Sequence, residues 1–126
     1  MENKNVRILI VEDEILIAQK ICWDLERVGY EVYEPVATGA EAIACVAAQN
    51  PDILLVDIRL PGGMDGIQAV EEIRSRHNIP VIFMTGYSDA TTIARAQQVK
   101  PAAFLEKPIF PHELEAAINA AIRSRE

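Results

Sequence analysis

The sequence predicts a doubly wound α/β fold, a five-stranded parallel sheet with five helices laid over both faces. Three observations carry this. Short apolar runs alternate five times with segments of helical periodicity, the pattern of βαβ units. Those runs are apolar throughout rather than at every second residue, as strands covered on both sides must be. The 126 residues suit one domain with a single core.

Each element has its own signal. Val6-Arg7-Ile8-Leu9-Ile10-Val11 is rich in β-branched residues and ends abruptly in Glu12-Asp13-Glu14. Ile17, Ile21, Leu25 and Val28 then recur at helical spacing, and Gly29 stands ready to stop the helix. Glu31 to Val36 reads as a shorter second strand. Thr38-Gly39-Ala40-Glu41 matches a capping box and opens a helix through Ile43, Val46 and Ala47, closed by Asn50-Pro51. Asp52 to Asp57 is the third strand; after the loop Arg59 to Met64, Asp65 is expected to cap a helix carrying Ile67, Val70 and Ile73. Ile79 to Met84 is the fourth strand, followed by a weakly patterned helix over Asp89 to Val99. Ala102 to Leu105 is the fifth strand, and Pro111 to about Arg123 the last helix, with Leu114, Ala117, Ile118, Ala121 and Ile122 facing inward.

Composition narrows the function classes. Hydrophobic residues make up 50% and charged residues 25%, a globular balance. With 12 Lys+Arg against 19 Asp+Glu the net charge is −7, which disfavours direct nucleic-acid binding. No apolar run approaches the roughly 20 residues of a membrane span, and Met1-Glu2-Asn3-Lys4-Asn5 lacks a signal-peptide core. Cys22 and Cys45 have no metal-ligand spacing and read as packing residues of a reducing, cytoplasmic compartment. His77 and His112 are remote from each other and from the acidic strand ends.

Chemistry is expected beyond the carboxyl ends of the strands. There the first strand runs into Glu12-Asp13, the third ends in Asp57, the fourth in Thr85-Gly86, and the fifth runs into Glu106-Lys107-Pro108. One acid at a strand end is an ordinary solvated charge, but coincidence at four strand ends is not ordinary. Clustered carboxylates repel, and either take up protons or recruit a cation. Oxygen ligands without His or Cys favour Mg²⁺, with Mn²⁺ as a substitute. Lys107 and Thr85 would then supply a charge and a hydrogen bond to a phosphoryl group, so the expected chemistry is phosphoryl transfer onto a carboxylate.

Val11-Glu12-Asp13-Glu14, Leu55-Val56-Asp57, Met84-Thr85-Gly86 and Glu106-Lys107-Pro108, in this order and spacing, resemble the receiver domain of two-component response regulators. The resemblance covers about residues 5 to 124 and implies the flavodoxin-like strand order 2-1-3-4-5 seen in chemotaxis receivers. By position it implies Asp57 as phosphoacceptor, and Mg²⁺ held by Glu12, Asp13, Asp57 and the backbone carbonyl of Arg59. It also implies Thr85 as switch hydroxyl, Phe104 as rotamer switch, Lys107 as phosphate-binding lysine and a cis peptide at Lys107-Pro108. Glu12 replaces a frequent Asp, Phe104 replaces a frequent Tyr and so lacks its hydroxyl, and the loop Pro61 to Gly66 is rich in glycine. Phe104 also has a plain reading as core, and Lys107 as a surface lysine.

The resemblance implies a signalling switch rather than an enzyme, phosphorylated by a sensor histidine kinase or phosphotransfer protein. It would signal through the surface of the fourth helix, fifth strand and fifth helix, to a downstream protein or an attached output domain, with phosphorylation-dependent dimerisation one output. Two alternatives fare worse. An aspartyl phosphohydrolase needs an acid two residues after its nucleophile, where this chain has Arg59. A pseudo-receiver typically lacks the acidic pair, the acceptor or the lysine, and all are present. The chain ends at Arg123-Ser124-Arg125-Glu126 directly after the last helix, which suggests a free-standing receiver or a domain excised from a longer regulator or hybrid kinase. In the family, the side chains two residues after the acceptor and two after the switch hydroxyl flank the attacking water. Here they are Arg59 and Tyr87, bulky groups that are no base at neutral pH. Slow autodephosphorylation by shielding is expected, with Arg59 pairing with phosphoryl oxygens or with Glu14, unless both side chains simply face solvent.

Overall fold

The computed structural model describes residues 5–86 and 89–125. In chain order the elements are β1 (Arg7–Val11), α1 (Ile15–Arg27), β2 (Glu31–Val32), α2 (Gly39–Gln49), β3 (Ile53–Asp57), α3 (Gly66–Arg74), β4 (Val81–Thr85), α4 (Ala90–Gln98), β5 (Ala103–Glu106) and α5 (Pro111–Arg125). All strand pairs are parallel and the order is β2-β1-β3-β4-β5. The sequence reading of a five-stranded doubly wound sheet holds.

Alternate strand residues enter two separate cores. Leu9, Val11, Leu54, Val56, Val81 and Phe83 pack under α2, α3 and α4 with Ala42, Val46, Ile67, Val70 and Ala96. Ile8, Ile10, Ile53, Leu55, Ile82 and Met84 meet Ala18, Ile21, Leu25, Leu114 and Ile118 from α1 and α5 on the opposite face. β3 and β4 are buried along their whole length, which explains their unbroken apolar sequence.

The helix starts follow the expected chemistry. Thr38 caps α2 in a capping box with Glu41, and Asp65 caps α3 in a second one with Gln68. Gly29, at φ 101°, ends α1 with its N–H on the Glu26 carbonyl.

Two local readings need correction. The second strand is far shorter than Glu31 to Val36. Tyr33 and Val36 still donate to the Ile8 and Ile10 carbonyls, but Pro35 has no N–H to continue a ladder, and pairing resumes only as a bridge between Val36 and Val11. In α1, Val28 caps the helix instead of continuing its inner face, and the buried residues are Ala18, Ile21 and Leu25. Ile15, Leu16 and Trp23 of α1 are largely exposed.

Candidate functional site

A parallel sheet brings every strand's carboxyl end to one rim, and the acidic residues meet there. Glu12 follows β1, Asp57 closes β3, Thr85 closes β4, and Lys107 follows β5. Glu12, Asp57 and Thr85 are the buried polar or charged side chains among the described residues. Adjacent strands fix their mutual placement: Asp57 pairs with Met84, Thr85 with Glu106, and the Lys107 N–H donates to the Thr85 carbonyl at 2.8 Å.

Carboxylate oxygens of Glu12, Asp13 and Asp57 lie within 4.8 Å of one another. Lys107 closes this acidic pocket. Its Nζ stands 2.8 Å from Glu12 Oε1 and 3.0 Å from Asp57 Oδ2. Asp57 Oδ1 accepts from the Arg59 N–H at 3.1 Å, and Glu12 Oε2 from the Glu14 N–H at 3.1 Å. Glu12 Oε1 is fully buried, and the ammonium beside it does not complete a well-directed hydrogen bond.

Burial raises the Glu12 pKa and the Asp57 charge adds to that, partly opposed by Lys107 and the Glu14 N–H. Burial also works against the Lys107 ammonium, but the Glu12 and Asp57 carboxylates it faces outweigh it and hold its pKa above the ordinary lysine value. The rim is thus a buried carboxylate pair with an exposed third acid, Asp13, and one cation. The donor set is hard oxygen with no nitrogen or sulfur, and a buried Glu12 oxygen lacks a full hydrogen bond. Both features fit a divalent cation of the Mg²⁺ type.

Residues 8–119 match the family model "Response regulator receiver domain". The chain belongs to that family. As a receiver domain it is 35% identical over 116 residues to the transcriptional regulatory protein PdtaR of Mycobacterium tuberculosis (strain CDC 1551 / Oshkosh), covering 92% of this chain and 56% of that protein. To the probable transcriptional regulator ycf27 of Cyanophora paradoxa it is 32% identical over 126 residues, covering 100% and 52%. The receiver thus spans about half the length of the curated relatives it matches.

Among solved structures, the signal receiver domain of a modulated diguanylate cyclase from Desulfovibrio desulfuricans G20 superposes with a TM-score of 0.89 at 38% identity, covering 94% of each chain. A CheY-like response regulator receiver domain protein from Methanospirillum hungatei JF-1 gives 0.83 at 32% identity, covering 90% of each. Receiver domains generally act as signalling switches and bind Mg²⁺ at an acidic pocket, and Glu12, Asp13 and Asp57 form an acidic cluster that could hold a metal ion.

The remaining expected positions divide. Phe104 is half-buried: its ring lies 6.3 Å from that of Phe83, tilted by 58°, and it also lines a groove of about 590 Å³ with Ile93, Gln97, Phe110 and Glu113 between α4 and α5. The Lys107-Pro108 peptide is cis. Arg59 is exposed, and its charge helps hold Asp89 below the ordinary aspartate value, behind the larger effect of hydrogen bonds from Thr92. No hydrogen bond or ion pair between Arg59 and Glu14 is formed. Tyr87 lies outside the described residues.

Sequence reasoning missed Gly66. A Cβ there would overlap the Asp57 carbonyl oxygen, and the Gly66 N–H donates to the Ile58 carbonyl at 2.7 Å. The backbone at the end of β3 and the first residue of α3 touch directly. A glycine after an N-cap aspartate was the available signal.

Proposed function

We propose that this receiver accepts a phosphoryl group on Asp57 from a phosphohistidine of a sensor histidine kinase or phosphotransfer protein, in the cytoplasm. Lys107, held between Glu12 and Asp57, is the observation that carries the reading. A cation placed at an acceptor carboxylate is what a dianionic incoming phosphoryl group needs, and a surface lysine would not be drawn between two buried acids.

An Asp57 carboxylate oxygen attacks phosphorus, the P–N bond of the donor breaks, and its electron pair leaves with the imidazole. Glu12, Asp13, Asp57 and the Arg59 carbonyl would hold Mg²⁺ (or Mn²⁺), which offsets the negative charge gathered around the transferring group. Lys107 remains as the protein's own counter-charge. Thr85 would hydrogen-bond a phosphoryl oxygen, and Phe104 would turn into the space that Thr85 leaves. The groove beside Phe104 supports this, because it lies on the surface formed by α4, β5 and α5. That surface would then be read by a downstream protein, an attached output domain or a second copy. Arg59 and Tyr87 would set the lifetime by flanking the water's approach.

The test is intact-mass measurement after incubation with phosphoramidate and Mg²⁺. Wild type is expected to gain one phosphoryl group and Asp57→Asn none; equal labelling of the two would overturn the acceptor. Asp13→Ala is expected to weaken Mg²⁺ binding at least tenfold, about 1.4 kcal/mol; an unchanged titration would remove Asp13 from the ligand set.

A further inference from the structure

Helix α1 carries three of the five large apolar side chains exposed among the described residues, Ile15, Leu16 and Trp23. Single exposed apolar residues are ordinary, but a group of them on one helix marks a contact surface. Grooves run along both flanks of that helix. The first, about 400 Å³, lies between the α1 stripe Ile15, Gln19, Cys22, Trp23 and Glu26 and the segment 32–37. That stripe spans about 17 Å of helix. The second, about 520 Å³, lies between Leu16, Lys20 and Asp24 and the turn from Lys107 to Pro111.

Charge separates the two grooves. Glu12, Asp13, Glu26 and Glu34 line the first, and no Lys, Arg or His is among its lining residues. In the second, Lys20 and Lys107 face one acid, Asp24. Neither Glu26 nor Glu34 forms an ion pair with a described residue. They come from opposite walls and act on one floor: burial, then the Glu26 and Glu34 charges, push the Cys22 thiol up to about 11. The asymmetry is rooted in the sequence. Residues 12–41 hold eight acids against two bases, Lys20 and Arg27, and so carry −6 of the chain's −7.

We infer that the groove between α1 and the segment 32–37 docks a basic amphipathic segment of a partner protein. Its Arg or Lys side chains would meet Glu26 and Glu34, and an apolar side chain would cover Trp23 and Ile15. Uncompensated carboxylates attract such a segment and repel nucleic acid, an anionic membrane or a second copy of this acidic chain. A free cation would leave the apolar wall uncovered. Trp23 offers a broad face to a guanidinium or an aliphatic chain, the kind of anchor that carries much of the energy of a protein contact. The opposite flank of α1, with its two lysines, lacks this complementarity. The groove ends on Glu12 and Asp13, so a docked segment lies beside the acidic pocket whether or not Asp57 takes a phosphoryl group.

Trp23 is the chain's one tryptophan, so its emission reports on this groove. The probe is a Trp-free helical peptide of about twelve residues, arginine on one face and leucine on the other, matched in length to the stripe. The unlabelled peptide is expected to shift Trp23 emission. A fluorescein-labelled form gives the affinity by anisotropy, which should weaken as added salt screens the charges. Glu26→Gln combined with Glu34→Gln should weaken binding about three- to tenfold, the size of two exposed ion pairs. Trp23→Ala, or an all-lysine peptide without leucine, should each weaken it about tenfold or more. Leu16→Ser, on the opposite flank, should leave it unchanged. Absence of binding, or equal affinity in the Glu26 and Glu34 double variant, would overturn the docking site. So would an equal loss in Leu16→Ser, which places the peptide on the other flank, or equal affinity for the all-lysine peptide, which leaves charge attraction alone.

Discussion

Lys107 and Asp57 are fifty residues apart in the chain and 3.0 Å apart at the rim, where the lysine also meets Glu12 at 2.8 Å. The ammonium does in the resting protein what a divalent cation would do beside it: it keeps two buried carboxylates from facing each other uncompensated.

Lys107→Ala should therefore make stability depend on Mg²⁺. Leaving paired acids without their buried counter-charge costs about 2 kcal/mol or more, a value moderated by the partial exposure of the lysine. Melting in EDTA should fall by several degrees relative to wild type, and added Mg²⁺ should recover most of the difference through binding to the folded state. Equal Mg²⁺ response in the two proteins would show that Lys107 is not standing in for a cation.

Gly66→Ala should destabilise by about 2 kcal/mol or more, since the added methyl meets the rigid Asp57 backbone and not a movable side chain. Gly86→Ala is the control. It has open space around it and should change stability by less than about 0.5 kcal/mol. Urea unfolding of both variants decides the matter.

The phosphorylated state is expected to decay slowly, because neither Arg59 nor Tyr87 can serve as a base for water at neutral pH. Replacing them together with Asn and Ala should speed phosphate release while leaving Mg²⁺ affinity nearly unchanged. A release time course no faster than wild type would reject shielding.

Tyr30 gives a pH test away from the rim. Burial, then the Glu115 charge, raise its phenol pKa above the ordinary 10.0, and its hydroxyl donates to Asn119 at 2.7 Å. Because the unfolded phenol ionises first, this contribution is complete below pH 10 and lost as pH climbs through the folded value. Wild type should lose stability more steeply than Tyr30→Phe in that alkaline window. Parallel denaturation curves from pH 9 to 11.5 would contradict it.

Much of the fold and of the rim is legible in the amino-acid sequence itself. β3 and β4 read correctly because burial on both faces leaves an uninterrupted apolar run, and Thr38 and Asp65 because a capping box is local chemistry. The acidic rim was legible for a topological reason: parallel strands send Glu12, Asp57, Thr85 and Lys107 to one edge whatever the loops do. β2 was overread, since residues 33–36 keep a strand-like composition while Pro35 interrupts the pairing. The ion pair of Arg95 with Asp65 was illegible, because Arg95 finds Asp65 across 30 residues and through space. Nothing local distinguishes Arg95 from a solvated helix arginine.

The brevity of β2 has a consequence for the protein in crowded solution. A parallel sheet leaves two outer strands whose free amides and carbonyls invite a neighbouring molecule to add a strand of its own. Here one border offers only Glu31–Val32, with an exposed Glu31 side chain and an imino acid three residues on. The other is four residues long and ends on the exposed Glu106. Neither border is long, flat and uncharged enough to template intermolecular growth, so the same irregularity that obscured β2 in the sequence protects the sheet against fibre-like association.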